Sequence, residues 1–329
     1  MNLIGKIFLV LLIVFIMSGA VALVFEFSGP KLQQKETIEI LRGENALQIA
    51  TELKAEDYIN SKILFLARVV KIGALKNLKA GEYDFKGDDV NQIVDKLVAG
   101  KTAAKKITII PGWTIQDITV YLEKQKIVTK DEFIAAAKPL HFTEFDFLTN
   151  LAQTADLEGY LYPDTYQINN KALVNDVIGI MLKNFGQKLT ADAKNKIQKQ
   201  DKSINQIVIM ASMLEKEIKT LEDKKLVSGI LWKRLKSNIP LQVDSTLLYY
   251  KTGAKTVDKN IDSPYNTYKY TGLPPGPICN PGQDSIEAAI EPLDSPYWYY
   301  LTASDGTTVF SENYGQHLIN KAKYLDIKN

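Results

Sequence analysis

The sequence predicts an α+β protein with an N-terminal transmembrane helix, a small α+β subdomain and a larger mixed α/β domain. Three observations predict it. One uninterrupted apolar run opens the chain. Strand-like alternation then trades places with amphipathic helical spacing over residues 36–103, and from residue 104 the pattern is mainly helical, with strands returning near the end. The expected boundaries are 1–6 for a cytoplasmic N-terminus, 7–25 for the membrane helix, 26–35 for a linker, 36–103 for the small subdomain and 104–329 for the larger domain.

From Ile7 to Phe25 there are 19 uncharged, mostly apolar residues. A helix of that length rises about 28 Å, close to the hydrocarbon thickness of a bilayer. Lys6 precedes the run and Glu26 follows it, so the positive-inside bias keeps the N-terminus in the cytosol. The expectation is a single-pass protein of the cytoplasmic (inner) membrane whose body lies on the periplasmic, extracytoplasmic side. The alternative is a cleaved signal peptide, since Ala20-Val21-Ala22 fits a small-residue cleavage site. Ser28-Gly29-Pro30 breaks the helix, and a polar linker follows.

In the small subdomain, Thr37–Leu41 alternates as a strand, and Asn45 caps a helix whose Leu47, Ile49, Ala50 and Leu53 form an apolar face. A second helix, Lys62–Ile72, carries Ile63, Leu64, Leu66, Ala67 and Val70. Lys79–Phe85 alternates again, and Asp88 or Asp89 caps a helix through Val90 and Leu97 that stops at Gly100. In the larger domain, strand Lys106–Ile110 leads into Pro111-Gly112-Trp113-Thr114, with Thr114 capping the helix Ile115–Glu123. Ser203 and Gln206 form a capping box before Ile207, Met210, Ala211, Leu214 and Ile218, which recur at helical spacing. Helix Leu221–Lys236 follows, and Asp305-Gly306 marks a hairpin turn between Tyr297–Thr302 and Thr307–Phe310.

The 329 residues are 46% hydrophobic and 24% charged, which excludes a disordered chain, and a single long apolar run excludes a polytopic membrane protein. Forty Lys+Arg balance 38 Asp+Glu, so no nucleic-acid-binding stripe is expected. With one cysteine, Cys279, and two histidines, no disulfide and no Cys/His metal site are expected, and no cofactor. Catalysis then falls to carboxylates, amides and hydroxyls.

Five segments concentrate polar, aromatic, Pro and Gly residues: Leu157–Ile168, Ala211–Glu217, Leu241–Tyr250, Ser263–Asp284 and Phe310–Asn320. Rings beside amides and carboxylates suit a carbohydrate, with its apolar faces and hydroxyl edge. Glu158 lies among Leu157, Gly159, Tyr160 and Leu161, surroundings that disfavour an ionised carboxyl and fit a general acid. Read alone, it fits an ordinary solvated loop glutamate better, since strongly perturbed carboxylates are the minority. Glu215 and Glu217 flank the apolar stripe of their helix on opposite sides, and periodicity does not choose between them. Asp244 reads as a candidate ligand or as a helix N-cap, and Asn266 and Asn280 offer amides to sugar hydroxyls. His317 reads as a structural histidine on a terminal helix.

Assembled in this order behind an N-terminal anchor, these segments resemble the endolytic murein transglycosylase family (MltG/YceG-like), over about residues 36–323. The resemblance rests on Leu157-Glu158-Gly159-Tyr160-Leu161-Tyr162-Pro163-Asp164-Thr165-Tyr166, on Ala211–Glu217, and on Ser263–Tyr268 followed by Gly272-Leu273-Pro274-Pro275-Gly276-Pro277-Ile278-Cys279-Asn280-Pro281. One departure is Pro111-Gly112 before Trp113, where the family has Pro-Glu-Gly. The resemblance implies that residues 36–103 are a LysM-like subdomain, that 104–329 is the catalytic domain, and that Glu158 is the catalytic glutamate.

It further implies cleavage of the β-1,4 bond between N-acetylmuramic acid and N-acetylglucosamine within nascent peptidoglycan strands. Strands then end in 1,6-anhydromuramic acid, and elongation terminates. Peptidoglycan glycan strands are the implied partner, with peptidoglycan synthases a further one. Tyr162, Asp164, Glu217, Asp244, Tyr265 and Asn266 are the residues expected to line the saccharide cleft or to position Glu158. Two alternatives stay open at this point. One is a hydrolytic muramidase with Glu217 or Asp244 as second carboxylate, and the other a non-catalytic glycan-binding scaffold of wall synthesis.

Overall fold

The computed structural model describes residues 37–152, 154–169, 172–250 and 258–325. The chain divides into two compact units, one formed by residues up to 105 together with 167–171, the other by 106–166 and 172 onward. Among the described residues the fold is mixed α+β, with twelve α-helices and three two-stranded sheets. No helix among them is long and apolar enough to cross a membrane. The expected membrane helix, residues 7–25, lies outside the described residues.

In the first unit, β1 (Ile38–Ile40) pairs antiparallel with β2 (Gly81–Tyr83), Ile38 opposite Tyr83. Three helices complete it: α1 (Ala46–Ala55), α2 (Lys62–Lys71) and α3 (Val90–Ala99). Asn45 and Asp89 each close a capping box with a glutamine at the third helical position, which satisfies orphan N–H groups at both helix starts. Ile40, Ile49, Leu53, Phe65, Val69, Tyr83, Ile93 and Leu97 build one core. Two expectations about helix faces are corrected. Leu47 is 58% exposed, outside the apolar face of α1. On α2, Ile63 is 78% exposed and Val70 is also out in solvent, while Phe65 and Val69, one turn apart, are buried.

β3 (Ala104–Thr108) pairs with β4 (Thr165–Asn169). In the second unit, α4 (Ile115–Lys124) is capped by Thr114, whose side chain accepts from the Asp117 N–H. Then come α5 (Lys130–Ala136), α6 (Val174–Lys188) and α7 (Ala191–Lys199). The centre is α8 (Ile204–Glu217), buried from Ile207 to Leu214 without a break. It packs against α9 (Leu221–Lys236), α10 (Asp244–Tyr250) and α11 (Gln283–Ile290). A helix apolar all round belongs inside a core, and this one fixes the elements that carry the polar residues at its C-terminal end.

The unit ends in β5 (Tyr299–Thr302), β6 (Thr308–Ser311) and α12 (Tyr314–Tyr324). Thr302 pairs with Thr308, so residues 303–307 form the hairpin loop. The expected hairpin turn at Asp305-Gly306 forms within that loop, closed by Gly306 N–H donating to the Ala303 carbonyl. Asp244 is the first residue of α10, and its carboxylate accepts the Tyr268 hydroxyl.

Candidate active site

Glu158 stands in a tight turn. Its own N–H donates to Asp156 Oδ1 at 3.0 Å, and Tyr160 N–H closes back on the Leu157 carbonyl at 3.0 Å. The next residue, Gly159, has φ +88°, and a Cβ there would lie 2.6 Å from both Pro277 Cβ and Val208 Cγ1. Glycine is therefore required twice over, by the backbone and by the close approach of the neighbouring loop. The turn points the Glu158 side chain inward, leaving the residue 4% exposed.

Three groups face the carboxyl. Ile115 opens α4, so its N–H has no partner inside the helix, and it donates to both carboxyl oxygens at 3.1 Å. Asn280 Nδ2 donates to Oε1 at 2.9 Å, and the Tyr249 hydroxyl lies 3.3 Å from Oε2. The orientation of Asn280 is set by its surroundings. Its Oδ1 accepts the Leu161 N–H at 2.8 Å and its Nδ2 also donates to the Trp113 carbonyl at 3.0 Å. The main chains of Asn280 and Trp113 bond as well, and Gly112 N–H donates to the Asn280 carbonyl. One buried amide thus ties the Trp113 loop, the Glu158 turn and the Pro/Gly-rich loop together.

Burial dominates the electrostatics. Removal from water pushes the Glu158 carboxyl up to about 8 and the charge of Asp156 adds to it, while the donors from Ile115, Tyr249 and Gly159 oppose it. The group therefore holds its proton at neutral pH. Those same donors, with the positive end of α4, are already aimed at the anion that forms when the proton leaves.

The other expected site residues fall into four groups. The Tyr265 ring packs on Tyr249 with centroids 5.4 Å apart, one ring removed from Glu158. Glu217, near the C-terminal end of α8, accepts the Ser245 N–H at 3.2 Å, and its carboxyl is raised chiefly by desolvation. It shares with Asp244 a cavity of about 580 Å³, also lined by Arg234, Tyr268, Tyr299 and His317. Glu158 does not line that cavity. Tyr162 donates to Gln283 Oε1, and Asp164 accepts from Asn184 Nδ2 at 2.9 Å, which holds its carboxyl below the usual range. Neither is a hydrogen-bond partner of Glu158. Asn266 is wholly buried and donates to the carbonyls of Lys259 and Ile261, while its Oδ1 accepts the N–H groups of Tyr268 and Lys269. Its amide holds a loop together. Glu215, the other glutamate of the pair, is taken by Lys224, Ser285 and the Gly282 N–H at the start of α11.

Sequence reasoning missed Tyr249 and the Ile115 N–H, and it read Asn280 as facing sugar. The tyrosine pair Tyr249-Tyr250 lies within a segment singled out for its composition. Only the packing of α10, however, shows which ring turns toward Glu158.

The model of the YceG-like family matches residues 38–323. An endolytic murein transglycosylase of Bacillus subtilis is 37% identical over 311 residues, covering 89% of this chain and 85% of the relative. One from Streptococcus pneumoniae is 28% identical over 325 residues, covering 89% of this chain, which spans 59% of that longer protein. Among solved structures, a YceG-like protein from Listeria monocytogenes superposes with a TM-score of 0.60 at 32% identity, covering 87% of this chain and 98% of that one.

Proposed function

The chain belongs to the YceG-like family, and from that premise we propose that it is an endolytic lytic transglycosylase. It cuts the β-1,4 bond between N-acetylmuramic acid and N-acetylglucosamine within nascent peptidoglycan strands, forms 1,6-anhydromuramic acid ends and terminates elongation. The observation that carries this reading is Glu158, a carboxyl withdrawn from water that keeps its proton to about pH 8 while fixed donors await its anion.

Glu158 donates its proton to the bridging oxygen as the bond from that oxygen to the anomeric carbon breaks, and the sugar gains oxocarbenium character. The carboxylate, held by the Ile115 and Asn280 donors, then takes the proton of the muramic acid 6-hydroxyl. The 6-oxygen bonds to the anomeric carbon, the anhydro ring closes, and Glu158 is protonated again. No water is consumed, and one carboxyl suffices where ordinary glycosidases need two.

The proton has a defined place. Ile115 and Asn280 can only donate to Glu158, because the Asn280 Oδ1 is already taken by Leu161. Tyr249 alone among the described partners can reverse its hydroxyl and accept. The proton therefore sits on Oε2, opposite Tyr249. Since Tyr249 also covers that oxygen, a bridging oxygen reaches the proton by displacing the tyrosine hydroxyl. Tyr265 backs Tyr249, Glu217 and Asp244 line the cavity at the other end of α10, and Tyr162 and Asp164 brace the segment that follows Glu158.

The apolar run at residues 7–25, between Lys6 and Glu26, anchors the chain as a single span of the cytoplasmic (inner) membrane and leaves the body on the periplasmic side. Residues 36–103 serve as the LysM-like subdomain, and 104–329 as the catalytic domain. Peptidoglycan synthases, which make the strand, are its functional partners. Mass spectrometry of the products tests the reaction type. Anhydro ends, lighter by one water than reducing ends, are expected, and reducing ends would assign the protein to the hydrolytic muramidases.

A further inference from the structure

The cavity of about 580 Å³ at the end of α8 holds an unusual charge. Arg234 is 5% exposed, and no carboxylate pairs with it among the described residues. Its Nε donates to the Trp298 carbonyl at 2.8 Å and its Nη1 to those of Leu241 and Pro240, while the guanidinium lies over the Tyr299 ring. Those bonds are all to neutral main-chain groups, and Nη2 has no partner among the described residues. A charge so far from water ordinarily meets an opposite one. Lys259, over the Tyr268 ring, and Lys321 add two further positive groups to the same lining.

The cavity also carries the opposite sign. Glu217 accepts one N–H, from Ser245, and a carboxyl has room for further donors. Asp244 lies beside it, held by Tyr268. Tyr268 and Tyr299 supply apolar ring faces, with His317 stacked on Tyr299 at 5.2 Å. A neutral hexosamine uses none of this separation of charge, whereas a peptide with free carboxylates and a free amine uses both ends. The cavity is also close to the reaction centre: α10 carries Asp244 in its lining and, five residues on, Tyr249 against Glu158, a rise of about 7.5 Å.

We propose that this cavity binds the stem peptide borne by the muramoyl residue, with Arg234 and Lys321 toward a peptide carboxylate and Glu217 and Asp244 toward its amine. The inference rests on the glycan-cleaving reading of Glu158 and adds a specificity site to it. Arg234 and Glu217 act here on substrate choice, apart from the proton transfers.

The test is titration of the full-length protein in detergent micelles with a synthetic stem pentapeptide acylated at its N-terminus, as it is on the muramoyl residue, and with the same peptide amidated at every carboxylate. Saturable binding of the free acid is expected, with the amidated form weaker by about tenfold or more, the value of a lost charged hydrogen bond. Lys321→Gln should weaken the free acid severalfold and leave the amidated form unaffected. Arg234→Gln should do more, and because it loosens three main-chain bonds, the amidated peptide provides the measurement that needs no variant. Equal affinity for the two peptides, or no binding in the millimolar range, would overturn the proposal. Cleavage of glycan strands is followed in parallel. Cleavage without peptide binding removes this site alone, whereas peptide binding without cleavage by the wild type removes the enzymatic reading.

Discussion

The Tyr249 hydroxyl faces Glu158 Oε2 at 3.3 Å, across 91 residues of sequence, and among the described residues it is the one polar partner of that carboxyl able both to give and to receive a hydrogen bond. As a donor it favours the carboxylate, and as an acceptor it holds the acid. The relationship makes Tyr249 a positioning residue for the proton that the reaction moves.

Tyr249→Phe removes the donor and keeps the ring against Tyr265. The bond that the hydroxyl donates to the charged carboxylate is stronger than the one it accepts from the neutral acid, so Glu158 should titrate higher in the variant, and the alkaline limb of the cleavage profile should move up by about one pH unit. A pH–rate series on uncrosslinked strands reads this. An unmoved alkaline limb with an unchanged rate would place the tyrosine outside the mechanism.

Burying Glu158 also sets a stability dependence on pH. Its carboxyl stays protonated to about 8 in the folded chain and ionises near 4.5 when unfolded. Between those values the native state binds the extra proton, so this group's contribution is complete below pH 4.5 and is lost as pH rises through 8. Glu158→Gln mimics the protonated acid and should raise the melting temperature at pH 8.5, with the gain shrinking toward pH 5. Thermal melts at the two pH values decide it, and a variant less stable than wild type at both would contradict the assignment.

Gly159→Ala forces a side chain into a left-handed backbone and against Pro277 and Val208. It should cost about 2 kcal/mol or more, measured by denaturant unfolding. A loss below half of that would mean the Pro/Gly-rich loop yields easily.

Asn280→Ala removes one donor from Glu158 and leaves the Leu161 N–H unpaired. A stability loss of about 1–3 kcal/mol is expected, together with a fall in kcat larger than any rise in KM, because the amide acts on Glu158 and not on the sugar. A change confined to KM would return Asn280 to the role of substrate ligand.

Local signals in the sequence were read well because their physics is local. The caps at Asn45, Asp89, Thr114 and Ser203 are set by residues three positions apart, and each closes in the structure as a capping box. The face of α2 was not legible, because its apolar residues surround the helix and only the rest of the core selects Phe65 and Val69 over Ile63 and Val70. The surroundings of Glu158 lay equally out of reach. Asn280 and Tyr249 come to it from 122 and 91 residues away, and nothing near either residue announces the pairing. Arg234 reads as one more basic residue in the last turn of α9, and only the packing shows that it lines a cavity without pairing with a carboxylate.

The most direct test is turnover of uncrosslinked glycan strands by wild-type protein and by Glu158→Gln, with the fold of the variant checked by its melting curve. The account predicts internal cuts with anhydro ends from the wild type and none above background from a folded Glu158→Gln. A folded Glu158→Gln that cleaves at a rate near that of the wild type would contradict it.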